Sequence, residues 1–290
     1  MWSSIAQAIQ DACNTDFESA TRIAVGGGSI NDASILDNGE FSVFVKTNSG
    51  DYSDMFAAEA AGLQELAGAD ALRVPQVITQ GEVGETCFLV LENLELGGRG
   101  SAQQLGEQLA SLHQHTAGQY GWYRDNTIGS TPQLNGQHHE WISFYRDQRI
   151  AWQLELAQQK GYGGNLQQQG DKLLSEIDKF FTDYTPVASL LHGDLWSGNF
   201  GYTQAGEPVV YDPAVYYGDR EADIAMTELF GGFSSDFYQA YQNAYPLDEG
   251  YNVRKNLYNL YHILNHLNLF GGGYLHQAES IIQRLLAEIH

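Results

Sequence analysis

The chain has 290 residues, 43% of them hydrophobic and 17% charged, with 14 basic against 36 acidic side chains and a formal charge of −22. That length and composition suit a globular protein of one large domain or two modest lobes. Such an acidic surface repels nucleic-acid phosphates and disfavours a nucleic-acid partner, and no run of eighteen apolar residues is available for a membrane-spanning helix.

From Met1 to Phe17 there is no Lys or Arg, so the basic start of a secretory signal is missing. Cys13 and Cys87 are too few for a disulfide framework, with one bridge at most, and a reduced cytoplasm is the simpler setting. Thr21 to Val25 reads as a short strand ending in Gly26-Gly27-Gly28, and Ala33 to Leu36 as a second. Asp37-Asn38-Gly39 is a hairpin turn signal. Phe41 to Lys46 alternates, with Phe41, Val43 and Val45 on one face. A helix rich in Ala, Glu and Leu is expected from Met55 to Leu66. Val74 to Thr79 and Cys87 to Leu91 then complete a five-stranded antiparallel sheet.

The composition shifts at Leu94-Glu95-Leu96-Gly97-Gly98, and the rest is mainly helical. Ser101 can cap a helix carrying Leu105, Leu109 and Leu112 at helical spacing. Further helices are expected over Trp141–Gln158, Asp171–Tyr184, Tyr251–Phe270 and Gln277–Ile289. The fold class is therefore α+β: an antiparallel β-rich N-terminal lobe, 1–93, joined by one short hinge to a mainly helical C-terminal lobe, 94–290.

The segment richest in chemistry is Leu190 to Ala225. It holds His192-Gly193-Asp194, then Asn199, then Asp212 within Tyr211-Asp212-Pro213. Phe200–Tyr202 and Val209–Tyr211 are β-prone around the turn Gln204-Ala205-Gly206-Glu207. A symmetric hairpin would set Tyr202 opposite Val209 and Asn199 opposite Asp212, bringing amide and carboxylate together at one end. Those oxygen ligands suit Mg²⁺, which takes its remaining ligands from water and phosphates. Asp194, five positions before Asn199, can accept a proton from a hydroxyl as its oxygen attacks phosphorus. For Asn199 or Asp212 alone, stabilising a turn is the ordinary role.

HGDxxxxN followed by a later Asp resembles the aminoglycoside phosphotransferase and choline kinase branch of the protein-kinase-like fold. Gly193 stands where protein kinases carry the Arg of HRD, which implies an enzyme without a switch read by that Arg. LLHGDLWSGNFG, YDPAVYYGDREADIAMTELFGGF, GGGSIN, FVK and WISFYRDQRIAWQLELA are similar to the fructosamine kinase, or ketosamine kinase, family over most of the chain. One departure is Ser29, where many relatives carry a loop Cys. Thiol-based control at that loop is accordingly not expected.

The resemblance implies a bilobal fold and phosphorylation, with ATP and Mg²⁺, of the sugar 3-hydroxyl of a small-molecule ketoamine or glycated lysine, which destabilises the adduct. It gives Asp194 the role of base and Asn199 and Asp212 that of metal ligands. It sets Lys46 on the ATP phosphates, paired with Glu59, although Glu65 competes. Gly26, Gly27 and Gly28 let backbone approach phosphate; the run is neither a Rossmann signature nor a P-loop. Glu92, Asn93 and Leu94 are implied as the hinge whose backbone meets adenine.

Asp223 and His192 are expected to brace the catalytic loop. Asp219 is either structural or meets a substrate amine, and Trp196 either stacks on a sugar or is an ordinary buried Trp. His262 and His266 have i,i+4 spacing, but Ile263 replaces the Glu of HExxH; His113, His115, His138 and His139 form no convincing ligand set. The alternatives are a kinase for another cationic small molecule, aminoglycoside- or choline-like, and an inactive module that only binds nucleotide. The acidity reads as solubility or as a field that draws in a cationic substrate.

Overall fold

A computed structural model describes residues 1–26 and 30–290; Gly27, Gly28 and Ser29, and the expectations attached to them, lie outside the described residues. The chain runs α1 (Trp2–Cys13), β1 (Thr21–Val25), β2 (Asp32–Asp37), β3 (Ser42–Ser49), α2 (Ser53–Gly68), β4 (Val77–Val83), β5 (Thr86–Glu92), α3 (Ala102–His113), β6 (Asn126–Ile128) and β7 (Thr131–Gln133). It continues through α4 (Trp141–Tyr145), a π-turn (Arg146–Ala151), α5 (Trp152–Gln159), α6 (Asn165–Ser175), β8 (Ser189–Leu191), β9 (Phe200–Tyr202) and β10 (Pro208–Val210). The last elements are β11 (Tyr216–Gly218), α7 (Glu221–Leu229), α8 (Ser235–Ala244), α9 (Tyr251–Phe270) and α10 (Leu275–Glu288). The α+β expectation is met.

Two compact units emerge, Met1–Ser101 with Phe200–Pro213, and Ala102–Asn199 with Ala214–His290. The β-rich unit thus takes in the β9–β10 hairpin, which the sequence assigns to the helical half. Local hydrogen bonds show why: Val210 N donates to Arg73 O at 3.0 Å and Gly97 N to Tyr202 O at 3.2 Å.

In the first unit a five-stranded antiparallel sheet has the order β1-β2-β3-β5-β4. Its β2–β3 turn works through side chains: Gly39 N donates to Asp37 Oδ1, and Phe41 N to Asn38 Oδ1, both at 2.7 Å, with Gly39 at φ +91°. The alternation of β3 divides its residues between two faces. Val43 and Val45 join Phe88, Val90 and the α1 residues Ile5 and Ile9 in one core cluster. Lys46, one step further along, turns the opposite way and meets α2.

The second unit is built around α9, most of whose residues are buried, with α3 against α8. Gly106 of α3 permits that approach, since a Cβ there would stand 2.4 Å from the Phe237 carbonyl oxygen. β8 pairs antiparallel with β11, matching Leu191 to Tyr216 and Ser189 to Gly218. The expected Trp141–Gln158 helix is present but interrupted by the π-turn. The Asp171–Tyr184 helix is corrected: α6 starts at Asn165 after Gly164 at φ +63° and stops at Ser175, and a 3-10 turn covers Ile177–Phe181.

Candidate active site

In the first unit, α2 and β3 bring Glu59 and Lys46 together. Lys46 Nζ donates to Glu59 Oε1 and to Asp212 Oδ1, each at 2.6 Å. Burial by itself would lower the pKa of the Lys46 ammonium, but the Glu59 and Asp212 carboxylates outweigh it and raise that pKa above the ordinary lysine value. Burial also pushes Glu59 upward against the pull of Lys46. The ammonium remains charged between its two partners, Glu59 and Asp212. Glu65 is not the carboxylate on Lys46.

Asp212 follows β10 and takes up a left-handed backbone, φ 57°. A non-glycine residue rarely adopts that conformation, and such strain concentrates at functional positions. The hairpin register corrects the symmetric expectation. Pro208 pairs with Tyr202 and Val210 with Phe200, one residue out of step with Tyr202 opposite Val209. Beyond the hairpin, the turn at Asp212 sends its carboxylate to Lys46.

The residues after β5 are fastened locally. The Glu92 carboxylate accepts from Arg73 Nη2 and, at 3.2 Å, from Gln76 N, while Asn93 Nδ2 donates to Ser42 Oγ at 2.9 Å. Leu94 is half-buried and Gly26 is exposed. Asn48 Nδ2 anchors the far side of the glycine run, donating to Ile30 O at 3.0 Å and to Asn31 Oδ1 at 2.8 Å.

In the second unit, β8 delivers the chain into His192-Gly193-Asp194. The buried Asp223 carboxylate accepts His192 N at 2.7 Å on Oδ2 and Gly193 N at 2.8 Å on Oδ1. His113 Nε2 lies 3.1 Å from Asp223 Oδ2, and its Nδ1 lies 2.7 Å from the Tyr241 hydroxyl. Burial pushes the Asp223 carboxyl up, but hydrogen bonding from His113 and the loop N–H groups outweighs it and holds its pKa below the usual value. His113 itself is pulled down by burial.

Asp194 N donates to His192 Nδ1 at 3.2 Å, so that nitrogen serves as an acceptor. Asn199 Nδ2 donates to Asp194 O at 2.8 Å and to Asp194 Oδ2 at 3.2 Å. The amide nitrogen is thus turned toward the Asp194 loop, which leaves its carbonyl oxygen as the end of the side chain suited to a cation. Among the described residues no cluster of three or more His, Cys, Asp or Glu has the makings of a metal site. An amide and a carboxylate that lean on phosphate oxygens for the remaining ligands fit Mg²⁺ better than a metal needing an all-protein cage.

Asp219 is fully buried, accepting from Tyr184 Oη at 2.9 Å, from Tyr258 Oη and from Glu221 N at 3.0 Å. Burial raises its pKa. Three donors from the interior thus occupy its carboxylate. Trp196 is 37% exposed, with its ring edge-on to Phe230 at 6.3 Å, so the ordinary buried reading does not apply. Both cysteines are free thiols. Sequence reasoning passed over His113 and Tyr241 as partners of Asp223; their separation along the chain leaves no local signal.

A family model described as fructosamine kinase matches residues 1–288. A probable ketoamine kinase of Synechocystis is 45% identical, with 98% of this chain and 97% of that protein covered. A chloroplastic protein-ribulosamine 3-kinase of Arabidopsis thaliana is 42% identical, covering 91% of this chain and 82% of the relative. The crystal structure of a candidate fructosamine-3-kinase from Haemophilus somnus superimposes with a TM-score of 0.90 at 32% identity, over 99% of this chain and 98% of that one. At 18% identity and a TM-score of 0.63, covering 98% of both chains, an aminoglycoside phosphotransferase in complex with AMP-PNP and hygromycin B shares the fold.

Proposed function

The chain belongs to the fructosamine kinase family, and from that premise we propose that it is an ATP-dependent phosphotransferase acting on the 3-hydroxyl of fructosamine- or ribulosamine-type ketoamines. The single observation that carries the assignment is full-length similarity to relatives named for that activity. AMP-PNP in a protein of the same fold supports ATP as the donor.

In the proposed mechanism Asp194 is the base. As the acceptor oxygen attacks the γ-phosphorus, its proton passes to the Asp194 carboxylate, the new O–P bond forms, and the bond from the γ-phosphorus to the bridging oxygen breaks to release ADP. Asn199, by donating to Asp194 Oδ2, orients that carboxylate. Lys46, held charged by Glu59, neutralises phosphate oxygens of the nucleotide. Asp212 and Asn199 would hold magnesium, whose charge would offset that of the triphosphate. Gly26 would approach the phosphates by its backbone, and the backbone of Glu92 to Leu94 would meet adenine. Asp223 and His192 hold the loop, and the partly exposed Trp196 offers a ring face to the sugar. The low cysteine content, two residues in all, supports a cytoplasmic setting.

The test is an acceptor panel with ATP and Mg²⁺: a ribulosamine, a fructosamine and an aminoglycoside, with the new phosphate located by NMR. Phosphate on O3 of a ketoamine is the expected result. Transfer to the aminoglycoside alone, or MgATP binding without transfer to anything, would replace this function with one of its rivals.

A further inference from the structure

Beneath the catalytic loop runs a buried network of amides that none of the steps above uses. Its outer end is Arg149, placed by the π-turn and fully buried. Among the described residues no carboxylate lies within ion-pair distance of it. Its guanidinium instead stacks on Tyr216 and Phe144, at 4.1 and 4.6 Å from the ring centroids, and Nη2 donates to Asn135 Oδ1 at 2.7 Å. π-Turns within helices are frequent at functional sites.

From Asn135 the hydrogen bonds continue inward without a break. Asn135 Nδ2 donates to Asn126 Oδ1 at 2.9 Å, and Asn126 Nδ2 donates to Val215 O at 2.8 Å. Gln133 Nε2 donates to Asn126 Oδ1 at 2.8 Å and to Ala214 O at 3.0 Å, while Gln133 Oε1 accepts from Tyr261 Oη at 2.7 Å. The Gln133 amide is therefore fixed at both ends and has one possible orientation. Ala214 N in turn donates to His192 O at 2.8 Å, two residues before Asp194.

We propose that Gln133 is a positioning residue for phosphoryl transfer, gripping Ala214 and through it the His192–Asp194 backbone, with Tyr261 and the Arg149–Asn135–Asn126 chain locking its amide in place. Asp223 fixes the loop through the N–H groups of His192 and Gly193, and Asn199 through the Asp194 carbonyl; Gln133 supplies a further hold, reaching the His192 carbonyl by way of Ala214. The inference rests on the reading of Asp194 as the base. It extends that reading to a side chain distant in sequence and fully buried. Small displacements of a reacting group cost large factors in rate, about 10²-fold for roughly 1 Å.

The experiment compares the full-length protein with Gln133→Met, Tyr261→Phe and the double variant. It measures kcat and KM with MgATP and a ribulosamine, and amide hydrogen exchange across residues 189–215 without ligands. Each single variant is expected to lower kcat about 10-fold or more, to leave both KM values within about twofold, and to speed exchange at His192 and Gly193. The double variant is expected to be no worse than the poorer single one, because both act through one amide. Should Gln133→Met fail to fold, Tyr261→Phe, which removes one hydroxyl, carries the comparison. Wild-type kcat in the variants, strictly additive losses, or unchanged exchange overturns the proposal. Exchange needs no acceptor, so a wild-type protein inactive on every ketoamine sinks the kinase reading while exchange still judges the relay.

Discussion

A Cβ at position 193 would stand 2.0 Å from the Ala214 carbonyl oxygen, on a backbone with φ at +84°. Both the close approach and the left-handed conformation require glycine, which accounts for Gly193 where protein kinases place an Arg. Gly193→Ala is expected to destabilise the protein by about 1–3 kcal/mol or more, the order of such backbone strain plus a clash, read as a lowered midpoint in urea; an unchanged midpoint would contradict it. Lys46 makes a second prediction at this scale. Lys46→Met leaves the Glu59 and Asp212 carboxylates without their shared cation, and kcat/KM for MgATP is expected to fall roughly 10²-fold, the order of removing one electrostatic stabiliser. The raised pKa of Lys46 keeps it charged through neutral pH, so this lysine should add no alkaline limb to the rate profile below about pH 10. Lys46 and Glu59 were legible because strand alternation and helix placement are local signals. Asp212 on Lys46 was not, since it depends on a one-residue register and a left-handed turn that no composition rule predicts.

Among elements, the start of α7 does the bracing. Asp223 receives two loop N–H groups and His113, and Glu221 makes a bidentate pair with Arg254 of α9 at 2.8 and 2.9 Å. The pKa of Asp223 is depressed in the folded protein. Its contribution is therefore present above its unfolded value, about 3.9, and lost as pH falls through the folded one. Thermal midpoints measured from about pH 7 to pH 2 should fall more steeply for the wild type than for Asp223→Asn below about pH 4; parallel curves would refute the assignment. Arg254→Met strands a buried carboxylate and is expected to cost about 3–5 kcal/mol, read by denaturant unfolding. α9 was readable because its apolar pattern is long. α7 was not: Glu221 through Thr227 are all buried, polar residues included, so its polar positions do not mark a solvent face from which a helical period could be recognised. α1 shows the opposite failure, an amphipathic helix overlooked because the N-terminus was weighed only as a targeting signal.

At the scale of the whole molecule, the formal charge of −22 opposes compaction through self-repulsion. Screening by salt should therefore raise the thermal midpoint between about 0.05 and about 1 M NaCl, and a flat or falling midpoint would show that the charge carries no such penalty. Family and reaction class were legible from long motifs, while the bracing of the catalytic loop was not, because it is built from residues such as His113, Gln133 and Tyr261 that no motif links to Asp194. The central claim concerns that loop, and single-turnover transfer tests it most directly. Wild type and Asp194→Asn would each be loaded with MgATP, its dissociation constant measured by calorimetry, and then mixed with a ribulosamine. The account predicts equal MgATP affinity with transfer slowed about 10²-fold or more in the variant; transfer at the wild-type rate would contradict it.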